Sequence, residues 1–237
     1  MIKIQENDVM RKLVLWGHHI DEYREMFALS AADLASNLLE YGCGASAVNT
    51  ELNKQGIKVV SCDPLFTLDK ATLSTEVSLI FEDMVDRVCA VQDKFDFSHD
   101  GSLDALISSR RQGMAEFFDD YQPGKIEGRY MPVTSHHLPF ADYTFDFALS
   151  SHYLFAGLDD QDVDFHLQAI RELARVAKEV RIFPLIDRYG QPSPFLGPVL
   201  LGLQQDQYGV EVREVKYHLQ TKGNAMLRVW AQQCQVI

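Results

Sequence analysis

The chain has 237 residues, 46% of them hydrophobic and 24% charged, with a formal net charge of −12. That length suits one large α/β domain, and the acidic balance argues against a nucleic-acid partner, whose phosphates call for clustered Lys and Arg; the Arg110-Arg111 pair reads as a solvated helix face. Apolar runs are too short for a membrane span, the acidic Met1–Asp8 stretch is unlike a signal peptide, and Cys43, Cys62, Cys89 and Cys234 lack CxxC or zinc spacing. The expectation is a cytoplasmic protein with reduced thiols and neither a membrane partner nor a metal.

Residues 8 to 28 predict an amphipathic helix, with Val9, Leu13, Ile20, Tyr23 and Phe27 on one stripe. Ser30 followed by Asp33 signals a second helix start of capping-box type. Asn37–Tyr41 predicts a strand ending at Gly42, Ala47–Gln55 a helix closed by Gly56, and Ile57–Cys62 a β-branched strand closing on Asp63-Pro64. This is a strand–helix–strand unit of the size a parallel sheet requires.

Between 69 and 127 the rhythm changes. Leu73, Val77, Ile80, Met84, Val88 and Val91 predict one long helix, and Leu103, Leu106, Ile107, Met114, Phe117 and Phe118 a second, opened by Ser102. A crossover needs only one, so this is a helical insertion after strand 2, either a substrate-selecting lid or a structural flap near the carboxyl ends of the strands.

After Pro123-Gly124 the alternation resumes. Strands are predicted over 128–133, 144–151 and 180–186, with helices over 160–178 and 195–207. Strands over 210–219 and 226–231 close the chain as a hairpin around Thr221-Lys222-Gly223-Asn224. The whole is a single α/β domain over 1–237, its N-terminal helices in 1–36. Its sheet is doubly wound and mostly parallel, with an antiparallel C-terminal strand.

Gly42-x-Gly44-x-x-Ala47, placed strand-to-helix, fits a nucleotide-binding turn, because a ligand approaches the backbone there without a side chain in the way. Asp63 follows Gly42 by 21 residues, at the end of the next strand, where a carboxylate can accept from ribose hydroxyls. Glu40 separates two ligand classes. A carboxylate beside the turn repels a pyrophosphate but favours the ammonium and sulfonium of S-adenosylmethionine.

With Leu39-Glu40-Tyr41-Gly42-Cys43-Gly44, Asp63, the Leu138–Ser151 run (LPFADYTFDFALSS) and Glu172-Leu173-Ala174-Arg175-Val176, the chain resembles the class I, Rossmann-like S-adenosylmethionine-dependent methyltransferases. Within them it is most similar to the small-molecule branch with its "LPF-x-D-x-x-F-D" segment. The resemblance covers roughly residues 37–68 and 129–237. It implies a seven-stranded sheet with S-adenosylmethionine held by Glu40, Tyr41, Gly42, Cys43, Gly44, Asp63, Pro64, Thr134, Ser135, Ser150 and Ser151. Two features depart from the pattern: Thr134-Ser135-His136-His137 stands where the family often has an adenine-side Asp, and the 69–127 insertion has no counterpart in the minimal fold.

Ser150-Ser151-His152-Tyr153 occupies the place of the Asn-Pro-Pro-aromatic motif of amide- and base-methylating enzymes, which argues for another, small-molecule acceptor. His152 is the candidate general base, since imidazole titrates near neutrality; His136, His137 and Tyr23 are weaker candidates. His18-His19 and His136-His137 lack metal-ligand spacing on a helix face. Two rival readings stand: an NAD(P)-dependent oxidoreductase using the same turn, and a catalytically degenerate S-adenosylmethionine-binding module. No motif specifies the acceptor or the atom methylated, nor an oligomeric state.

Overall fold

A computed structural model describes residues 17–90, 92–135, 137–155, 161–187, 190–220 and 222–231. Val9, Leu13, Val91, His136, Thr221 and Cys234, all used in the sequence reading, lie outside these.

The first helices are α1 (Ile20–Met26) and the short α2 (Ala31–Leu34). The predicted 8–28 helix is shorter in its described part, because Gly17–His19 is not helical. There the chain crosses a later helix backbone to backbone: a Cβ on Gly17 would meet the Met114 amide at 3.0 Å. His19 then caps α1, its N–H donating to Glu22 at 2.9 Å. Ser30 caps α2 with the anticipated capping box to Asp33.

The sheet follows in chain order, starting with β1 (Leu38–Tyr41), α3 (Val48–Lys54) and β2 (Val59–Asp63). The two insertion helices are α4 (Lys70–Ala90) and α5 (Leu103–Ile126), and β3 (Tyr130–Pro132) and β4 (Phe145–Ser151) come next. The chain continues through α6 (Val163–Val176), β5 (Ala177–Phe183), α7 (Leu196–Gln205), β6 (Tyr208–Glu214) and β7 (Ala225–Ala231). The seven strands lie in the order β3-β2-β1-β4-β5-β7-β6. β7 runs antiparallel to both neighbours and the other pairings are parallel. The doubly wound, Rossmann-like sheet with its antiparallel last strand is therefore present. Every residue of β1 is buried, as a central parallel strand covered on both faces requires.

Three apolar clusters hold the layers together. One joins β4 and β5 to Leu167, Ile170 and Leu173 of α6 and Val199 and Leu203 of α7. A second joins the opposite face to Tyr23, Met26 and Phe27 and to Val48 and Leu52 of α3. The third packs Leu73, Val77 and Phe81 of α4 and Phe117 and Tyr121 of α5 against Cys43, Ala45 and Phe66. The insertion thus covers the outside of the glycine turn.

Four boundaries differ from the sequence reading. Helix α5 runs through Pro123-Gly124 to Ile126, with Pro123 in its last turn at the cost of one backbone donor, and Gly128 at φ +76° makes the exit. β5 begins at Ala177, directly after α6, and ends before Pro184. β6 stops at Glu214, and the connection leaves the sheet to bury Tyr217 and Leu219 against the N-terminal helices. Arg110 is buried, so only Arg111 of the basic pair faces solvent. No helix among the described residues is long and apolar enough to cross a membrane.

Candidate functional site

The glycine turn leaves the carboxyl end of β1 with Gly42 at φ +68° and Gly44 at φ +58°, the left-handed region that glycine enters without strain. The Gly42 N–H donates to the Cys62 carbonyl at 2.8 Å, locking the turn to β2. Asp63 ends β2 and reaches back to it. One carboxylate oxygen accepts the Gly44 N–H at 2.7 Å and the other the Leu65 N–H at 2.8 Å. Asp63 is 2% exposed, and burial, against these two amide bonds, raises its pKa to about 6. Pro64 opens the helical turn that supplies Leu65.

Glu40 lies beneath the turn, not in front of it. It accepts from the Ser61 hydroxyl at 2.5 Å and the Ser46 hydroxyl at 3.4 Å, with Tyr23 as a third hydroxyl partner. Burial at 1% exposure raises its pKa to about 7. Cys43 and Cys62 are buried thiols, Cys43 pushed well up and Cys62 pushed up to about 12, both chiefly by burial. They pack and stay protonated.

The space in front of Gly42 belongs to Tyr153. A methyl on Gly42 would overlap the Tyr153 ring and stand 2.6 Å from its Cβ. Tyr153 is 9% exposed and meets Tyr41 edge-on, with ring centroids 5.6 Å apart. The glycine turn and the acid have the chemistry that S-adenosylmethionine requires. In the present arrangement the group does not fit, because an aromatic ring covers the turn; each Asp63 oxygen, engaged by one backbone amide, keeps a second lone pair for a hydroxyl donor.

Ser150 and Ser151 end β4, the Ser150 hydroxyl buried with no hydrogen-bond partner among the described residues. The Ser151 hydroxyl lies 2.8 Å from His152 Nδ1, and His18 Nε2 lies 3.2 Å from the same nitrogen. That nitrogen has a single lone pair or a single proton to share between the two contacts, and the tautomers of the two rings set which one it makes. Burial first, then the neighbouring His18, holds the His152 pKa well below its ordinary value. That makes it a weak proton acceptor at neutral pH. Thr134 and Ser135 follow β3 at the exposed rim, one residue past Val133, whose N–H donates to the Asp63 carbonyl at 3.2 Å. His137 is exposed beside Glu172 at 3.2 Å.

Several residues around the site carry no sequence motif. His18 is one, and Glu22, Arg110 and Tyr217 form a buried group beside it. The adjacency of Tyr153 to the strand end was visible, but nothing in its spacing placed its ring on Gly42. Among the described residues, His19, Glu51 and Glu116 could also gather around a cation. However, His19 Nδ1 stands 2.6 Å from Glu51 and Nε2 3.1 Å from the Ser109 carbonyl, while Lys54 engages Glu116 at 3.2 Å. An imidazolium donating at both nitrogens accounts for that geometry, and its raised pKa, due first to Glu51, agrees.

No protein-family profile matches the chain. An uncharacterized protein of Methanocaldococcus jannaschii is 26% identical over 219 residues, 92% of this chain and 96% of that one. Among solved structures, a putative S-adenosyl-L-methionine-dependent methyltransferase from Methanococcus maripaludis is similar at TM-score 0.47 and 11% identity, covering 92% of this chain and 85% of that one. An Aquifex aeolicus S-adenosylmethionine-dependent methyltransferase gives TM-score 0.43 and 18% identity, covering 96% and 98%. Likenesses at these scores assign no activity.

Proposed function

We propose that this chain is a cytoplasmic S-adenosylmethionine-dependent methyltransferase acting on a small-molecule acceptor. The observation that supports it most is the bond from the Gly44 N–H to Asp63 at 2.7 Å, which joins a glycine turn on β1 to an acid on β2 within the doubly wound sheet. Ligands of such sheets bind at this carboxyl edge. The buried Arg110 removes half of the basic pair from any phosphate-binding surface, in keeping with a small acceptor.

The test is thermal shift with S-adenosylhomocysteine, NAD and NADP at equal concentrations. A rise in Tm with S-adenosylhomocysteine and none with either dinucleotide is the expected result. Stabilisation by a dinucleotide alone overturns the reading in favour of an oxidoreductase.

A second reading, a degenerate S-adenosylmethionine-binding module, is favoured by the weak basicity of His152 and by Tyr153 over the turn. Tight binding without methyl turnover across hydroxyl, amine, carboxylate and thiol acceptors, unaffected by His152→Ala, would establish it.

A further inference from the structure

We propose that Tyr153 is a built-in occupant of the donor site, its ring holding the place over Gly42 that S-adenosylmethionine must take, so that donor binding requires the side chain to rotate out. This rests on the donor reading above and adds a barrier to it.

Three independent features of the strand-end turn support the assignment. First, contact with Gly42 is so close that no side chain other than hydrogen is compatible with both residues where they stand. The ring is further framed by Tyr41 and by Phe165, the latter with centroids 6.3 Å apart. Tyr153 is thus packed as a core residue at a position where a ligand site should be open.

Second, the turn is fixed at both ends. The His152 N–H donates to the Phe183 carbonyl at 2.7 Å, and the Phe155 N–H donates to His166 Nε2 at 3.0 Å. Phe155 also stacks on His166, with centroids 4.8 Å apart. Side-chain rotation at Tyr153 moves the ring, whereas its Cβ, 2.6 Å from a carbon added at Gly42, stays with the anchored backbone. Third, His152 at φ +55° and Phe155 at φ +65° are both held in the left-handed region that non-glycine residues avoid. Strain of this kind persists where surroundings impose a geometry that the sequence would not choose, and it collects at ligand sites.

The consequence is a reduced donor affinity. If the open rotamer is a minor population, the apparent Kd exceeds the intrinsic one by the reciprocal of that population. Removing the ring removes this factor, whereas Tyr153→Phe keeps the ring.

The experiment is titration calorimetry of S-adenosylhomocysteine into wild type, Tyr153→Ala, Tyr153→Leu and Tyr153→Phe, each verified as folded by circular dichroism and its Tm. Tyr153→Ala is expected to bind about tenfold more tightly than wild type or better, the size of effect a roughly 10% open population gives, with Tyr153→Phe, which keeps the ring, gaining less than the truncations. Tyr153→Leu keeps an apolar filling and serves if the alanine variant does not fold; it is expected to tighten in the same direction. Equal or weaker binding by the folded truncations, with wild type binding measurably, overturns the occupancy and leaves the donor reading standing. Absence of binding by all four proteins at about 1 mM overturns the donor reading itself, and this proposal with it. A second readout needs no truncation. In wild type labelled with 3-fluorotyrosine, the ¹⁹F resonance missing from Tyr153→Phe is expected to move on saturation with S-adenosylhomocysteine. A resonance that stays in place in the saturated protein overturns the proposal.

Discussion

Arg110 on α5 and Glu22 on α1, 88 residues apart in sequence, meet fork to fork with 1% and 4% exposure. Tyr217 completes the group, accepting from Arg110 at 2.9 Å and donating to Glu22 at 3.0 Å. The pair ties α5 of the insertion to the N-terminal helix α1. Removing one partner strands a buried charge, and Arg110→Met or Glu22→Leu is expected to lose about 3–5 kcal/mol in urea denaturation. The double replacement should lose less than either single change, since no charge is then left unpaired. Single losses below about 1 kcal/mol, the range of exposed ion pairs, would contradict the buried geometry.

The neighbours His18 and His19 should titrate on opposite sides of the ordinary histidine range. Burial, then the nearby Arg110, lowers His18 to about 4, whereas Glu51 and the Ser109 carbonyl raise His19. Nuclear magnetic resonance of the ring Hε1 protons, assigned with His18→Asn and His19→Asn, reads both directly. The stability signs differ accordingly. The His18 contribution is present above about 6.5 and is lost as pH falls through about 4, while that of His19 is present below about 6.5 and is lost as pH rises through its raised value. Titration of both rings together near 6.5 would refute the two environments.

Glu40 gives a slope of its own. Its pKa rises from 4.5 to about 7 on folding, so its protonated form is held by the fold. The associated stability is full below about 4.5 and is lost as pH rises through about 7. The 2.5-unit difference amounts to about 3 kcal/mol over that window. Glu40→Gln removes the ionisation and keeps the shape, and hydroxyl partners such as Ser61 and Ser46 can accept as well as donate. Between pH 5 and pH 8 the variant is expected to lose about 3 kcal/mol less stability than wild type in urea denaturation. Parallel pH profiles for the two proteins would show that Glu40 is ionised throughout.

Much of this fold was legible because its signals are local. The Ser30–Asp33 capping box, the strand ending at Gly42 and the apolar stripe of α6 each depend on a few adjacent residues, and each is present. What failed depended on distant partners. The helical stripe through Ile20 said nothing of Gly17–His19, which is extended because α5 crosses it. Arg110 read as solvated because its partners lie far off at Glu22 and Tyr217. In the site, the turn and its acid were visible from spacing, and so was the nearness of Glu40 to them. Its direction was not legible, since Ser46, Ser61 and Tyr23 turn it beneath the turn only once β1, β2 and α1 are assembled. Tyr153 over Gly42 was invisible for the same reason.

The contact between Gly42 and Tyr153 can be measured without any ligand. Gly42→Ala carries two penalties, the left-handed backbone at φ +68° and the overlap with the Tyr153 ring. The first is worth about 1–2 kcal/mol and the second about 1–3 kcal/mol. Gly56→Ala is the internal reference: it sits at φ +77° with nothing within 4 Å of the added carbon, so it carries the backbone penalty alone. Gly42→Ala is therefore expected to be clearly the more destabilising in urea denaturation. In a Tyr153→Ala background the overlap with the ring disappears while the Cβ contact at 2.6 Å remains, so the loss from Gly42→Ala should fall toward that of Gly56→Ala and stay above it, a coupling of about 1–3 kcal/mol. If Gly42→Ala instead loses the same amount with and without the Tyr153 ring, the two residues are not in contact and the glycine turn is open.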